Sequence, residues 1–358
     1  MRLAIVGTRG IPNNYGGFET LAEYLVNYLS TDIDITVYCS SKDLPTKISE
    51  YNGAKLKYIP VSSHGAFGIL YDSISLFSAI RKFDKVLFLG FGGGFVMPFI
   101  KRYKHKVIVN IGGLDWKRNK WSPLAQKVIK KAEEFLIKYS GQIISDNKGI
   151  HDYILNEYGR ESSFIAYGGD QAKQMPMTNE CKKENPFVKS PYAFIVTRIQ
   201  EDNNITLMLD AFVDKNTMPL VIVGNWNNSQ YGITTKKKYL NKKNVFLMDA
   251  IYMQKKLDTL RSNCTLYIHG HSAGGTNPSL VEAMNLGLPI LAFSNGYNEN
   301  TTFNKALYFK NSEELSSLVD SYESLNLDKM KEELKSLAND HYQWEVVARK
   351  YHKIINSN

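Results

Sequence analysis

The sequence predicts an α/β protein made of two doubly wound, Rossmann-like halves with parallel sheets. Three observations carry that reading. Short apolar runs alternate with amphipathic stretches along most of the chain. The alternation lapses once, near the middle, and then restarts. Each half joins an apolar run to a helical stretch through a glycine-rich turn. The 358 residues suit two domains of roughly 150–200 residues each, and 43% hydrophobic residues suffice for two cores rather than a disordered chain.

In the first half, strand-like runs fall at 3–6 (LAIV), 33–39, 85–90, 106–111 and 142–145. Leu21, Tyr24, Leu25 and Tyr28 recur at helical spacing between the first two. Leu124, Val128, Ala132, Phe135, Leu136 and Tyr139 do so later, with Ser122 as the expected N-cap. Pro123 takes the first helical position, where its missing N–H is not needed. The stretch 171–190 is polar, broken by proline and without periodicity, so it reads as a linker. Runs resume at 192–197, 219–224, 244–249, 264–270, 288–293 and 306–309, with helices expected over 204–212 and 278–287. The segment 343–355 reads as a last helix that packs back on the first half. The expected domains are therefore 1–170 and 191–340, with a linker at 171–190 and a tail at 341–358. Ligands of such sheets bind beyond the strands' carboxyl ends, so two facing halves would form a central cleft.

Composition narrows the function classes. Cys39, Cys181 and Cys264 have no paired spacing, which argues against a disulfide framework or a zinc site. No apolar run reaches the ~20 residues of a membrane-spanning helix, and MRLAIVGTRG is too glycine-rich for a signal peptide. The net charge of +9 is concentrated: 101–131 holds ten Lys or Arg against the single acid Asp115, and the remainder is neutral. Such an excess suits an anionic partner, either a membrane leaflet or a phosphorylated substrate. A plain solvated face remains the alternative. A nucleic-acid module would explain the charge but not the glycine clusters.

Those clusters point to phosphate. GTRGIPNNYGGFET (7–20) joins the first run to the first helix, and Gly16-Gly17 stand where that helix begins. Its unpaired N–H groups could face a phosphate there. The spacing is not G-x-G-x-x-G, which disfavours an NAD(P)-dependent oxidoreductase. HGHSAGGTNPSLVEAMNLGLPI (269–290) repeats the arrangement. Gly274-Gly275 allow close backbone approach, and Thr276 and Asn277 supply small polar groups. Glu282, one turn into the helix, could accept hydrogen bonds from a ribose diol. Arg198 in IVTRIQEDNNI (195–205) ends a strand and could clamp a diphosphate, or pair with Glu201 or Asp202 instead.

These motifs, with GGLDWKRNKWS (112–122) and YGGD (167–170), resemble the retaining GT-B glycosyltransferases of the large family 4. The narrower resemblance is to bacterial (β-1,4-)rhamnosyltransferases of capsule or cell-wall polysaccharide synthesis. It implies a retaining hexosyltransferase with two Rossmann-like domains around a cleft, requiring no cofactor and no metal. The implied donor is a nucleotide sugar: dTDP-rhamnose, with UDP- and GDP-sugars as alternatives. The implied acceptor is an undecaprenyl-diphosphate-linked saccharide. The implied location is the cytoplasmic face of the bacterial membrane, with peripheral attachment. Arg198 matches the family's diphosphate-binding arginine, Glu282 its ribose-binding glutamate, and Asp170 a donor-side loop. Two positions depart from the pattern. Asn203 stands where a lysine is usual, and Gly274 where a carboxylate usually meets the sugar. Asp115 is the expected catalytic base, unless it only pairs with Lys117 or Arg118; His271 is a weaker candidate. Trp116, Lys117, Arg118, Lys120 and Trp121 form the expected acceptor and membrane face. A nucleotide-sugar epimerase on the same fold is the competing enzyme class.

Overall fold

The computed structural model describes residues 1–357 except 14, 15, 119, 120, 214, 216 and 217. The chain forms two units: one spans Met1–Tyr167 and takes back the C-terminal segment from Trp344, and the other spans Gly168–Gln343.

The first unit is built on β1 (Arg2–Val6), β2 (Asp34–Ser40), β3 (Glu50–Tyr51), β4 (Ala54–Ile59), β5 (Lys85–Leu89), β6 (Val107–Ile111), β7 (Gln142–Ser145) and β8 (Ser163–Phe164). Their order is β3-β4-β2-β1-β5-β6-β7-β8, and only β3 runs antiparallel. Leu3–Val6 and Val86–Leu89 are fully buried, as central parallel strands covered on both faces must be. β4 reads AKLKYI, and its lysines hide it from an apolar-run search. Both find partners: Lys55 Nζ lies 3.1 Å from Asp34, and Lys57 Nζ donates to Ser78 Oγ at 2.7 Å. Asn52-Gly53, both with positive φ, turn β3 into β4 as a two-residue hairpin.

Helices Gly17–Leu29, Gly65–Ile80, Pro123–Tyr139 and Lys148–Tyr158 complete this unit, with a long 3-10 segment, Gly92–Lys106. Ser122 caps the third as expected, its Oγ accepting from the Ala125 N–H at 3.3 Å. The C-terminal helix Trp344–Asn356 belongs to this unit. Trp344 stacks on Tyr24 with ring centroids 4.3 Å apart, and Asn110 Nδ2 donates to the Tyr351 hydroxyl.

The second unit holds β9 (Ala193–Val196), β10 (Leu220–Val223), β11 (Val245–Met248), β12 (Leu266–His269), β13 (Ile290–Phe293) and β14 (Leu307–Phe309), in the order β11-β10-β9-β12-β13-β14 and all parallel. The stretch 171–190 carries the short helix Asn179–Glu184, capped by Thr178. Its first residues are tied to the second unit: Gln174 Nε2 donates to the Leu286 carbonyl at 2.8 Å and the Met175 N–H to Ser262 Oγ at 3.1 Å. Such side-chain-to-backbone bonds leave no periodic trace in sequence.

Strand order reverses once in each sheet, between β1 and β5 and between β9 and β12. Ligands of open parallel sheets bind beyond the strand ends at such switch points.

Candidate functional site

In the second unit the switch point is flanked by the ends of β9 and β12. Arg198 lies two residues beyond β9 and is exposed. Asn203 is buried, and its amide is spent inside the protein. Nδ2 donates to the Arg198 carbonyl at 2.7 Å, and Oδ1 lies 2.7 Å from His271 Nδ1. Because the nitrogen faces a carbonyl, the oxygen must accept, which puts the His271 proton on Nδ1. Asn203, expected as a donor contact, bolts the two strand-end loops together. The amide is too short to reach outward as a lysine would, and both its ends find buried partners. His269 at the end of β12 is buried too, and burial pushes its pKa down to about 3, so the ring is neutral at physiological pH.

The loop holding Gly274, Gly275 and Thr276 leads into the helix Pro278–Asn285. Asn277 caps it, Oδ1 accepting from the Ser279 N–H at 3.0 Å and its hydroxyl at 2.8 Å. The Leu280 N–H bonds the Asn277 carbonyl at 3.1 Å and the Val281 N–H does so at 3.3 Å. The helix therefore uses its own first-turn donors.

Glu282 is the best-anchored residue of the group. Arg261, fully buried, donates through Nη1 to Glu282 Oε2 and through Nη2 to Asp258 Oδ1 at 2.8 Å. Gln171 Nε2 donates to Glu282 Oε1 at 2.6 Å. Burial opposes the charge on Arg261, but Glu282, Tyr267 and Asp258 outweigh it and raise its pKa. Each Glu282 oxygen accepts one of these bonds and keeps a second lone pair for a ligand hydroxyl. Asp170 stands between two residues that touch the same helix. The backbone of Gly169 packs so closely on it that an added Cβ would lie 2.5 Å from the Val281 carbonyl. Arg261, Asp258 and Gln171 were not singled out by the sequence, because their partners are dispersed along it.

In the first unit, Gly16 has φ 133 and forms the N-cap of Gly17–Leu29. Glu19 folds back over it, Oε1 accepting the Arg9 N–H at 2.8 Å, and a side chain at Gly16 would collide with its carboxylate. The chain thus supplies its own anion at this turn, where Gly16 and Gly17 were expected to meet the donor. Asp115 lies in the turn Asp115–Lys117 after β6, about a third exposed, 3.6 Å from Arg118 Nε. Lys117 turns away over the Trp116 ring at 5.3 Å, and Lys130 covers that ring at 4.7 Å. Trp116 and Trp121 are half-buried, not presented outward. Lys120 lies outside the described residues.

Asp72, also absent from the sequence reading, sits on the helix Gly65–Ile80 and accepts the Gly92 N–H just beyond β5. Its enclosure pushes the carboxyl up to about 8 against that hydrogen bond, and Glu19 adds to the rise. The folded value then lies above the unfolded one, about 3.9, so the folded state holds an extra proton between them and loses stability as pH rises through that window. Asp72→Asn keeps an acceptor for Gly92 without the charge. Its urea midpoint is expected to exceed the parent's at about pH 8, by ~1–2 kcal/mol, and to match it near pH 4. Equal midpoints at both pH values would contradict the assignment.

Residues 177–343 match the family of glycosyl transferases group 1, and residues 1–170 match a domain of unknown function, DUF1972. No curated protein matches the chain in sequence. Solved structures match its fold. Sucrose-phosphate synthase from Thermosynechococcus elongatus aligns with a TM-score of 0.81 at 12% identity, covering 99% of this chain and 98% of that one. HepE of Anabaena in complex with UDP aligns at 0.73 and 11% identity over the whole of both chains. WaaG, a glycosyltransferase involved in lipopolysaccharide biosynthesis, aligns at 0.72 and 13%, also over the whole of both. The chain therefore has the GT-B fold. More particularly, its second unit carries a glycosyl transferases group 1 domain, and the protein is a transferase of that class.

Proposed function

We propose that the protein is a retaining hexosyltransferase that moves L-rhamnose from dTDP-rhamnose onto an undecaprenyl-diphosphate-linked saccharide during surface polysaccharide assembly. The observation that carries this reading is the grouping of Arg198, the 274–277 loop and the anchored Glu282 around the β9–β12 switch point, inside the glycosyl transferases group 1 match. Glu282 takes the ribose hydroxyls, Asp170 lies toward the sugar, and Arg198 neutralises the charge that grows on the leaving diphosphate. Gly274 puts no carboxylate where donor-sugar hydroxyls would be bound, which suits a 6-deoxy sugar. Asp115 on the first unit takes the acceptor hydroxyl's proton, and the basic stretch 101–131 favours a diphosphate lipid at an anionic membrane surface, on its cytoplasmic side.

A donor screen tests this reading. dTDP-, UDP- and GDP-sugars are offered with a synthetic lipid-linked disaccharide, and the product linkage is read by NMR. Transfer from dTDP-rhamnose with retained anomeric configuration is expected. Preference for another nucleotide would shift the donor, inversion would overturn the stereochemistry, and turnover without an acceptor would point to an epimerase. In the same assay Asp115→Asn should lower kcat by about 10²–10⁴ while the donor KM holds.

A further inference from the structure

The helix Gly65–Ile80 is apolar on two faces. Tyr71, Ser75 and Ala79 line its buried side. Phe67, Leu70, Ile74 and Phe77 recur at three- and four-residue spacing on the opposite side, and they are 65%, 50%, 39% and 48% exposed. The segment Gly92–Lys106 packs against this helix and carries Phe99, 84% exposed. Scattered surface hydrophobes need no explanation, but an aligned stripe of four does.

Its surroundings are basic. Arg81 and Lys82 follow the helix and are exposed, with the Arg81 guanidinium 5.2 Å from the centre of the Phe77 ring. Lys101, Arg102 and Lys104 follow Phe99 and are exposed as well. The helix has one acid, Asp72, turned to the Gly92 N–H. Large apolar groups rimmed by lysine and arginine describe an element that lies in a lipid interface, stripe toward the acyl chains and cations at the headgroups. A second copy of the chain fits less well, because pairing these faces would bring like charges together. No described helix is long and apolar enough to cross a membrane, which leaves attachment to one surface as the route to a lipid-borne substrate.

We propose that Phe67, Leu70, Ile74 and Phe77, with Phe99 and the cations around them, dock the protein on an anionic bilayer. This rests on the peripheral-membrane part of the functional reading and moves the lipid contact from the half-buried Trp116 and Trp121 to the helix Gly65–Ile80.

The three native cysteines are buried, so one added surface cysteine carries the only accessible label. Full-length protein with Leu70→Cys, labelled with an environment-sensitive fluorophore, is mixed with vesicles of phosphatidylcholine alone or with phosphatidylglycerol. A blue shift is expected with the anionic vesicles, weakened by salt, and none with the neutral ones. The same label at Ile233→Cys, an exposed site on the second unit, should not respond. Co-sedimentation with anionic vesicles should fall at least about tenfold in the Phe67→Ser/Phe77→Ser variant. A far-UV circular dichroism spectrum and thermal melting profile that match the parent's show that the variant is folded. Unchanged sedimentation of the folded variant, or a Leu70→Cys shift that appears without lipid as mass doubles with concentration, would overturn the proposal. Vesicle binding that persists when no sugar is transferred would sink the functional reading and leave the docking surface standing.

Discussion

Replacing Arg261 by alanine is expected to destabilise the second unit by about 3–5 kcal/mol, because it leaves Asp258 and Glu282 enclosed without their shared counter-charge. The other partners do not make up the loss. Gln254 and the Lys173 N–H bond Asp258, and Gln171 bonds Glu282, but all three are neutral donors. Two carboxylates beside one guanidinium already carry one negative charge in excess, and removing the guanidinium raises that to two. Arg261→Met, closer in volume, should lose nearly as much, since the missing charge and not the cavity is the main term. Adding Asp258→Asn to it should recover part of the loss. Urea unfolding at neutral pH measures all of this. Nucleotide affinity should fall in parallel, because Glu282 would lose the contact that fixes its carboxylate. A loss below about 1 kcal/mol would show that the network is not what holds this site.

The interior strands of both sheets could be read from sequence because a strand buried on both faces is apolar throughout, as in LAIV at the core of β1 and LVIV at β10. The helix Gly65–Ile80 could not, for the converse reason: two apolar faces leave no single stripe for a period to detect. The glycine clusters marked both strand-to-helix turns. What sequence could not show is that Glu19 already occupies the first of them, since its bond to the Arg9 amide depends on the folded path of the turn. Glu282 was legible as a carboxylate one turn into the helix after the second glycine cluster. The partners were not, because Gln171, Asp258 and Arg261 stand up to 111 positions from it. Asn203 was visible as a missing lysine, but its role as a bolt depends on two loops that only the sheet brings together.

Arg198→Ala is the complementary experiment, and a large loss of activity is its expected result. The side chain is exposed, and it is the main-chain carbonyl of residue 198 that Asn203 holds. Truncation should therefore leave that main-chain bond in place. On the proposed reading, charge on the leaving diphosphate grows toward the transition state, and a guanidinium there would contribute more to that state than to ground-state binding. The expected result is a fall of about 10²–10³ in kcat/KM, carried mostly by kcat. Arg198→Lys should retain part of the activity, since it keeps the charge but not the two-pronged geometry. Asn203→Ala serves as the contrast: it unfastens the loop from His271, so it should lower stability as well as activity. If Arg198→Ala weakened dTDP and dTDP-sugar binding to the same extent as turnover, the arginine would be a ground-state anchor only. The charge developing at the leaving group would then need another partner.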